Sequence, residues 1–231
     1  NRYRKKKNKL LNFFLVYFKS FFSISFLSDT IIINHNNKNN FKSIFVTWAR
    51  AENFKSDGSY YDHYINAHSK KNKKVLWFII DMDGVSPKKI DKNIIIFSRK
   101  NCQKFDLIYL LKIFFFNIYF LITLRMSKCS VSYLDHISIL IWDKLSIFIH
   151  KDIKKVTTPY EAQPFQNFIF YKIKKFSNKI KTCGYIHNNQ PYPSHMFKRY
   201  GSPEKIMVHS VDQKFHLEQY FGWKKKDIII S

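Results

Sequence analysis

The chain has 231 residues, of which 40 are Lys or Arg and 16 are Asp or Glu, so its formal net charge is +24. Hydrophobic residues make up 45%, which excludes a disordered polycation, and five glycines with six prolines exclude a collagen-like or linker protein. The length allows one large domain or two small ones. A basic globular chain suits polyanions such as nucleic acid or an anionic membrane, although A+T-rich codons would produce the same excess of Lys, Asn, Ile, Phe and Tyr.

The first 40 residues are basic and aromatic, and then polar. The composition of residues 1–27 predicts a helical arm. Its Phe- and Leu-rich part, 10–27, resembles a signal anchor but lacks a small-residue cleavage site and contains Lys19. Residues 31–40 end in an Asn-rich run that predicts a loop. We therefore expect an arm and loop over 1–40 that is buried or lies at a membrane surface, with membrane insertion as the alternative.

Three short apolar runs follow, at 44–48, 75–80 and 93–97. They are continuous rather than alternating, which is typical of strands buried on both faces of a parallel sheet. The segment 105–126 is long enough to span a bilayer but carries charged residues, each of which costs about 2.5–3.5 kcal/mol near the bilayer centre. We expect a buried or interfacial helix over 103–126, with a membrane span as the alternative.

The last third of the chain alternates strands with helices. Strands are predicted at 153–158, 179–185, 205–210 and 227–230, helices at 159–175 and 211–221, and a loop at 187–193. This alternation indicates βαβ units, and therefore an α/β fold with a Rossmann-like, doubly wound, mostly parallel sheet. We assign residues 41–226 to that domain and expect 227–231 to begin a second domain, so that the chain is a fragment.

The three cysteines, Cys102, Cys129 and Cys183, lie far apart and form no CxxC pair. An odd number of dispersed cysteines indicates neither a zinc site nor a disulfide framework. A reducing cytoplasm is the expected compartment.

Sheets of this type bind ligands beyond the carboxyl ends of their strands, so the residues that follow strands are the first candidates for a site. The segment 158–166, TPYEAQPFQ, follows one strand and opens a helix. Glu161 near the helix N-terminus can act as a general base or accept a hydrogen bond from a hydroxyl, or it merely caps the helix. Gln163 and Gln166 lie three residues apart and so share a helix face.

The segment 183–193, CGYIHNNQPYP, follows the next strand. Gly184 allows close approach of a backbone, and His187 at the strand end can bind phosphate or transfer a proton. A purely structural histidine is the alternative.

The segment 48–64 leaves the first strand of the domain and mixes aromatic residues with Arg50, Asp57 and Asp62. Sugar-binding loops have this composition. A surface loop with an Asp-Gly turn is equally consistent with it.

The segment 77–85, WFIIDMDGV, looks like the first motif of haloacid dehalogenase-type phosphatases, with Asp81 as the nucleophile and Asp83 as the proton-transferring group. That chemistry needs a Mg²⁺ site completed by a later acidic pair, and no such pair follows a later strand at suitable spacing. The phosphatase is therefore the lesser alternative.

Nucleic-acid binding is the other class that the charge raises. Lysines cluster at 5–9, 70–74, 172–175 and 224–226. These clusters are dispersed along the chain, and no binding signature, Walker A sequence or GxGxxG sequence accompanies them. Solvated charged surfaces account for them, so no specific nucleic acid is expected.

TPYEAQPFQ (158–166), GYIH (184–187) and SPEKIMVH (202–209) together resemble bacterial surface-carbohydrate glycosyltransferases of the GT-B type, found in lipopolysaccharide and capsule biosynthesis. The likeness covers roughly residues 41–231. It implies an enzyme with two Rossmann-like halves and a cleft between them, of which this chain matches the N-terminal, acceptor-side half. It also implies metal-independent chemistry with a nucleotide-sugar as co-substrate and no bound cofactor.

The function implied by the resemblance is transfer of a sugar to a lipid-linked or saccharide acceptor, with Glu161 and His187 as catalytic candidates. The expected substrate-binding residues are Trp48, Arg50, Asp57, Tyr160, Gln163, Gln166, Tyr185 and Asn188. We expect a cytoplasmic protein, peripheral at the inner face of the plasma membrane, with an anionic membrane surface as a partner. The alternative is a non-catalytic basic protein that uses its N-terminal arm to bind anionic lipid.

Overall fold

The computed structural model describes residues 31–32, 41–63, 65–81, 87–98, 115, 133–186 and 196–231. The predicted arm over 1–27 lies outside the described residues, as do the predicted loop at 187–193 and, apart from Phe115, the predicted helix over 103–126. Among the described helices, none has both the length and the apolar character needed to cross a bilayer.

Ten strands and three α-helices are formed by the described residues. The strands are β1 (Ile31–Ile32), β2 (Ser43–Trp48), β3 (Tyr61–Asp62), β4 (Ala67–His68), β5 (Val75–Asp81), β6 (Ile94–Ser98), β7 (Lys155–Pro159), β8 (Lys181–Tyr185), β9 (Lys205–Val208) and β10 (Ile228–Ile230). The helices are α1 (Tyr133–Ser146), α2 (Pro164–Phe176) and α3 (Val211–Tyr220). Strands β3 and β4 form a separate antiparallel hairpin between β2 and β5.

The central sheet has eight strands in the order β1-β6-β5-β2-β7-β8-β9-β10. Seven of them are parallel, and β1 is antiparallel at one edge. Strand order runs outward in both directions from β2 and β7, which is the doubly wound, Rossmann-like arrangement, so the predicted α/β fold is confirmed. Residues 228–230, where a second domain was expected to begin, form β10 and pair with β9 in this same sheet.

Side chains alternate between the two faces of the sheet along each strand, and both faces are covered. Ile44 and Val46 of β2 belong to an apolar cluster shared with α1 and α2. Phe45, between them in sequence, belongs to the opposite cluster with Tyr60 and Trp77. On that opposite side, among the described residues, the covering layer comes from 51–63 and 65–71, hereafter the roof segment.

The second helix starts later than the sequence pattern predicts. Pro159 ends β7, and Ala162 has a φ of 54°, a left-handed conformation that no α-helix accommodates. Pro164 then opens α2 at a position where its missing N–H is not needed. Gln166 Oε1 accepts hydrogen bonds from the backbone N–H groups of Gln163 at 3.0 Å and Glu161 at 2.9 Å, which satisfies donors ahead of the first turn.

Candidate functional site

The carboxyl ends of β2, β7 and β8 meet at a pocket of about 90 Å³. We call this cavity the switch-point pocket. Eight residues line it: Thr47, Trp48, Arg50, Asn53, Tyr60, Asp62, Pro159 and Tyr185. Strand order reverses between β2 and β7, which is where doubly wound sheets place their ligands. The volume admits several waters or one part of a small ligand.

Asp62 is the acidic residue of this pocket and is only 1% exposed. Thr47 Oγ1 donates a hydrogen bond to Asp62 Oδ2 at 2.7 Å, and the Tyr185 hydroxyl donates to the same oxygen at 3.2 Å. A buried carboxylate is tolerated only where donors of this kind replace water. The carboxylate is therefore fixed by hydroxyls from β2 and β8, while its own backbone belongs to the β3 strand of the roof segment.

Two buried phenols support this arrangement. The Tyr60 hydroxyl donates to the Trp48 carbonyl oxygen at 2.6 Å and accepts from Asn53 Nδ2 at 3.2 Å. Burial raises the pKa of Tyr60 to about 12, and burial together with the charge of Asp62 raises the pKa of Tyr185 well above its ordinary value. Both phenols therefore stay protonated at neutral pH and act as hydrogen-bond donors.

Trp48 and Arg50 line the pocket at the carboxyl end of β2. Trp48 is half-buried, with its ring edge-on to Phe165 of α2 at a centroid distance of 5.2 Å. Arg50 is exposed and follows β2. The aromatic side chains of Tyr60 and Tyr185, with a few converging polar groups, match the usual composition of a small-molecule site.

Three of the substrate-binding residues expected from the sequence line the switch-point pocket, namely Trp48, Arg50 and Tyr185. His187 and Asn188 lie outside the described residues, so their positions relative to the pocket stay predictions.

Four other expected site residues make structural contacts. Tyr160 is fully buried beside Trp223, with its ring at 6.2 Å and its hydroxyl within hydrogen-bonding distance of two polar side chains. Gln166 caps α2, and Gln163 Nε2 donates to Glu161 Oε2 at 2.8 Å. Of the catalytic candidates, Glu161 thus lies in the turn just after Pro159, next to the pocket but not among its lining residues.

Asp57, the remaining expected substrate-binding residue, lies on the roof segment away from the pocket lining. It accepts hydrogen bonds from Lys70 Nζ at 2.5 Å and from Ser59 Oγ at 2.6 Å. These two donors hold the pKa of its carboxyl well below the ordinary range. Its role in the described contacts is to close the turn that carries Gly58.

Ser59, His68 and Asp57 also form a cluster with the residue types of a nucleophilic triad. Lys70 N donates to His68 Nδ1 at 3.2 Å, so Nε2 carries the imidazole hydrogen and faces Ser59 Oγ at 3.4 Å. The Ser59 hydroxyl hydrogen goes to Asp57. The histidine therefore cannot accept the serine proton, and the order of contacts is not that of a Ser-His-Asp triad.

Five lining residues were not among the predicted site residues: Thr47, Asn53, Tyr60, Asp62 and Pro159. Asp62 belongs to the acidic and aromatic segment 48–64, but no sequence pattern shows that its side chain faces Thr47 and Tyr185. A sequence signal existed for Pro159 and Thr47, since both stand at strand ends.

Within the described part of the chain, no group of three His, Cys, Asp or Glu side chains is arranged to hold a metal ion. Asp81 is buried at the end of β5, one strand away from the reversal point, while Asp83 lies outside the described residues. No protein-family model and no curated protein sequence matches the chain. The fold and the pocket define an α/β protein with a polar switch-point site, and they are the basis of the functional proposal.

Proposed function

We propose that the chain is the acceptor-side part of a glycosyltransferase that builds a cell-surface polysaccharide. The observation that carries the proposal is the switch-point pocket, in which a fixed carboxylate, Asp62, shares a small cavity with two tyrosines, Tyr60 and Tyr185, and the Asn53 amide. Carboxylate and amide groups beside an aromatic ring suit the hydroxyls and apolar ring faces of a sugar. The sequence resemblance supports the same reaction class.

In this proposal an acceptor hydroxyl enters the switch-point pocket and attacks the anomeric carbon of a nucleotide-sugar. A carbon–oxygen bond to the acceptor forms, the bond to the nucleotide phosphate breaks, and the hydroxyl proton passes to a side chain of the site. Asp62, Glu161 and His187 are the candidates for that base, since carboxylates and imidazoles are the usual proton acceptors. The nucleoside diphosphate leaves with the bonding electrons, so charge and atoms balance without a bound metal.

The acceptor is proposed to be saccharide or lipid-linked, with the protein peripheral at the inner face of the plasma membrane. An exposed aromatic and basic surface supports a membrane partner: Phe215 and Tyr220 of α3 are more than half exposed, and Lys224–Lys226 follow. The same surface favours the second candidate function, a non-catalytic protein held at anionic lipid. The two candidates differ in whether sugar transfer occurs.

The test is sugar transfer by the full-length protein, purified and supplied with radiolabelled nucleotide-sugars and a lipid extract as acceptor. We expect the wild type to transfer sugar. Of Asp62→Asn, Glu161→Ala and His187→Ala, the variant that removes the base should lower the transfer rate at least about 100-fold. Asp212→Asn, on the exposed first turn of α3, is the matched acidic control and should keep the wild-type rate. Flotation with anionic liposomes in the absence of any transfer would instead support the non-catalytic alternative.

A further inference from the structure

We infer that Asn53 is a specificity-determining residue of the switch-point pocket, and that its side-chain oxygen accepts a hydrogen bond from one hydroxyl of a neutral saccharide. The inference rests on the proposed function and deepens it. Asn53 is 2% exposed, lines the pocket, and its Oδ1 has no hydrogen-bond partner within the described part of the chain. Buried polar atoms are almost always paired in folded proteins, so an unpaired one at a pocket wall indicates a missing ligand group.

The orientation of the Asn53 amide is fixed by its neighbour. The Tyr60 hydroxyl donates its single hydrogen to the Trp48 carbonyl oxygen, at 2.6 Å. Its oxygen can then only accept, and Asn53 Nδ2 donates to it at 3.2 Å. Flipping the amide would set two acceptors against each other, so Oδ1 is the atom that stays without a partner.

The hydroxyl hydrogens of Thr47 and Tyr185 are also used in hydrogen bonds within the protein. Thr47 and Tyr185 both donate to Asp62 Oδ2, so their hydrogens point away from a ligand. Of the eight lining residues, Arg50 alone carries a positive charge. Apart from Arg50, the walls therefore present mainly acceptor oxygens, which match the hydrogens of a polyol better than the acceptor oxygens of a phosphate.

The experiment measures binding by isothermal titration calorimetry with the full-length protein. The neutral probes are glucose, galactose and N-acetylglucosamine, and the anionic probes are pyrophosphate and uridine diphosphate. The variants are Asn53→Leu, with Asn53→Ala in reserve should the leucine variant fail to fold. The matched control is Gln213→Leu, since Gln213 is also a buried amide but lies on α3, outside the pocket lining, where its Oε1 accepts from the His209 backbone N–H at 2.7 Å.

We expect at least one neutral sugar to bind the wild type and the Gln213→Leu protein, and to bind the Asn53 variant at least about tenfold more weakly. A series of monodeoxy forms of that sugar supplies the decisive readout. Removing the hydroxyl that donates to Asn53 should weaken binding to the wild type but leave binding to the Asn53 variant unchanged, because the partner is already gone.

Three results would overturn the inference. No neutral sugar binds the wild type, each deoxy sugar loses the same affinity for the wild type and the Asn53 variant, or the Asn53 substitution weakens the binding of pyrophosphate instead. Sugar binding with this deoxy pattern, but without sugar transfer, would refute the glycosyltransferase and leave the Asn53 assignment standing. Sugar transfer that is indifferent to Asn53 would do the reverse. The two proposals therefore fail separately.

Discussion

Tyr185 and Asp62 are 123 residues apart in the chain, and the Tyr185 hydroxyl donates a hydrogen bond to Asp62 Oδ2 at 3.2 Å. Thr47 donates to the same oxygen at 2.7 Å. Tyr185 ends β8, Thr47 belongs to β2, and β7 lies between these two strands. One carboxylate from the roof segment therefore ties together both sides of the point where strand order reverses.

Replacing Asp62 with Asn should destabilise the fold, because two buried hydroxyls lose the charged acceptor that their hydrogens face. Hydrogen bonds to charged groups contribute about 1.5–3 kcal/mol each, and an Asn retains only part of that acceptance. We expect the free energy of unfolding in urea to fall by about 2 kcal/mol. Asp212→Asn is the control, and a stability of Asp62→Asn equal to that control would contradict the role assigned to the carboxylate.

The Tyr185 hydroxyl and the Asp62 carboxylate should be energetically coupled. We expect Tyr185→Phe and Asp62→Asn to show an interaction energy of at least about 0.5 kcal/mol in a double-mutant cycle of unfolding free energies. Tyr171→Phe on α2, whose ring contacts Tyr200, serves as the comparison pair with Asp62→Asn and should be additive. Additivity in both cycles would mean that the 3.2 Å contact contributes nothing measurable.

Gly184→Ala should be far more damaging than Gly222→Ala. A Cβ at position 184 would lie 2.6 Å from Cβ of the fully buried Tyr160, which follows β7. The backbone at Tyr160 must move to relieve this contact, and we expect a cost of about 3 kcal/mol or more. A Cβ at position 222 meets nothing within 4 Å, but the φ of 69° is strained for alanine, at about 1–2 kcal/mol. Thermal or urea unfolding measures both, and equal losses would refute the steric account.

The titration of Asp57 should depend on Lys70. The Lys70 ammonium and the Ser59 donors lower the pKa of Asp57 in the folded state. A lowered folded-state pKa contributes stability above the ordinary aspartate pKa and loses it as pH falls through the folded value. We expect Lys70→Ala to raise the pKa of Asp57 towards its ordinary range, as followed by NMR pH titration of the carboxyl carbon. Since both side chains are about half exposed, the effect on stability should be small, and a large one would contradict the exposure of the pair.

The sheet could be predicted from the sequence where its strands are continuous apolar runs. Residues 44–48 and 75–80 are rich in β-branched and aromatic residues and form β2 and β5 nearly as predicted. Helix α1 was not predicted, because four apolar residues in succession near its middle, ILIW at 139–142, obscure the helical period. The predicted start of α2 was wrong by five residues, because Tyr-Glu-Ala-Gln has helical propensity. In the structure Ala162 is left-handed, so the helix begins only at Pro164.

The site could be predicted only as a location. The rule for strand ends singles out Trp48 and Tyr185, and both line the pocket. Asp62 and Asn53 come from a connection without an α-helix in its described part, and which of its side chains turn inward depends on tertiary contacts such as the Tyr60 N–H to Ser69 Oγ bond at 2.9 Å. Local propensity contains no information on that choice.

The roof segment has a consequence for how such a protein could change its ligand. Its internal contacts are local: Phe54 bridges Tyr60, Lys55 N donates to the Ser59 carbonyl oxygen, and Ser69 N donates to the Tyr60 carbonyl oxygen. The sheet contributes Thr47 and Tyr185, from β2 and β8. We therefore expect substitutions in the described residues of the roof segment to alter what the pocket accepts while the strand order stays the same.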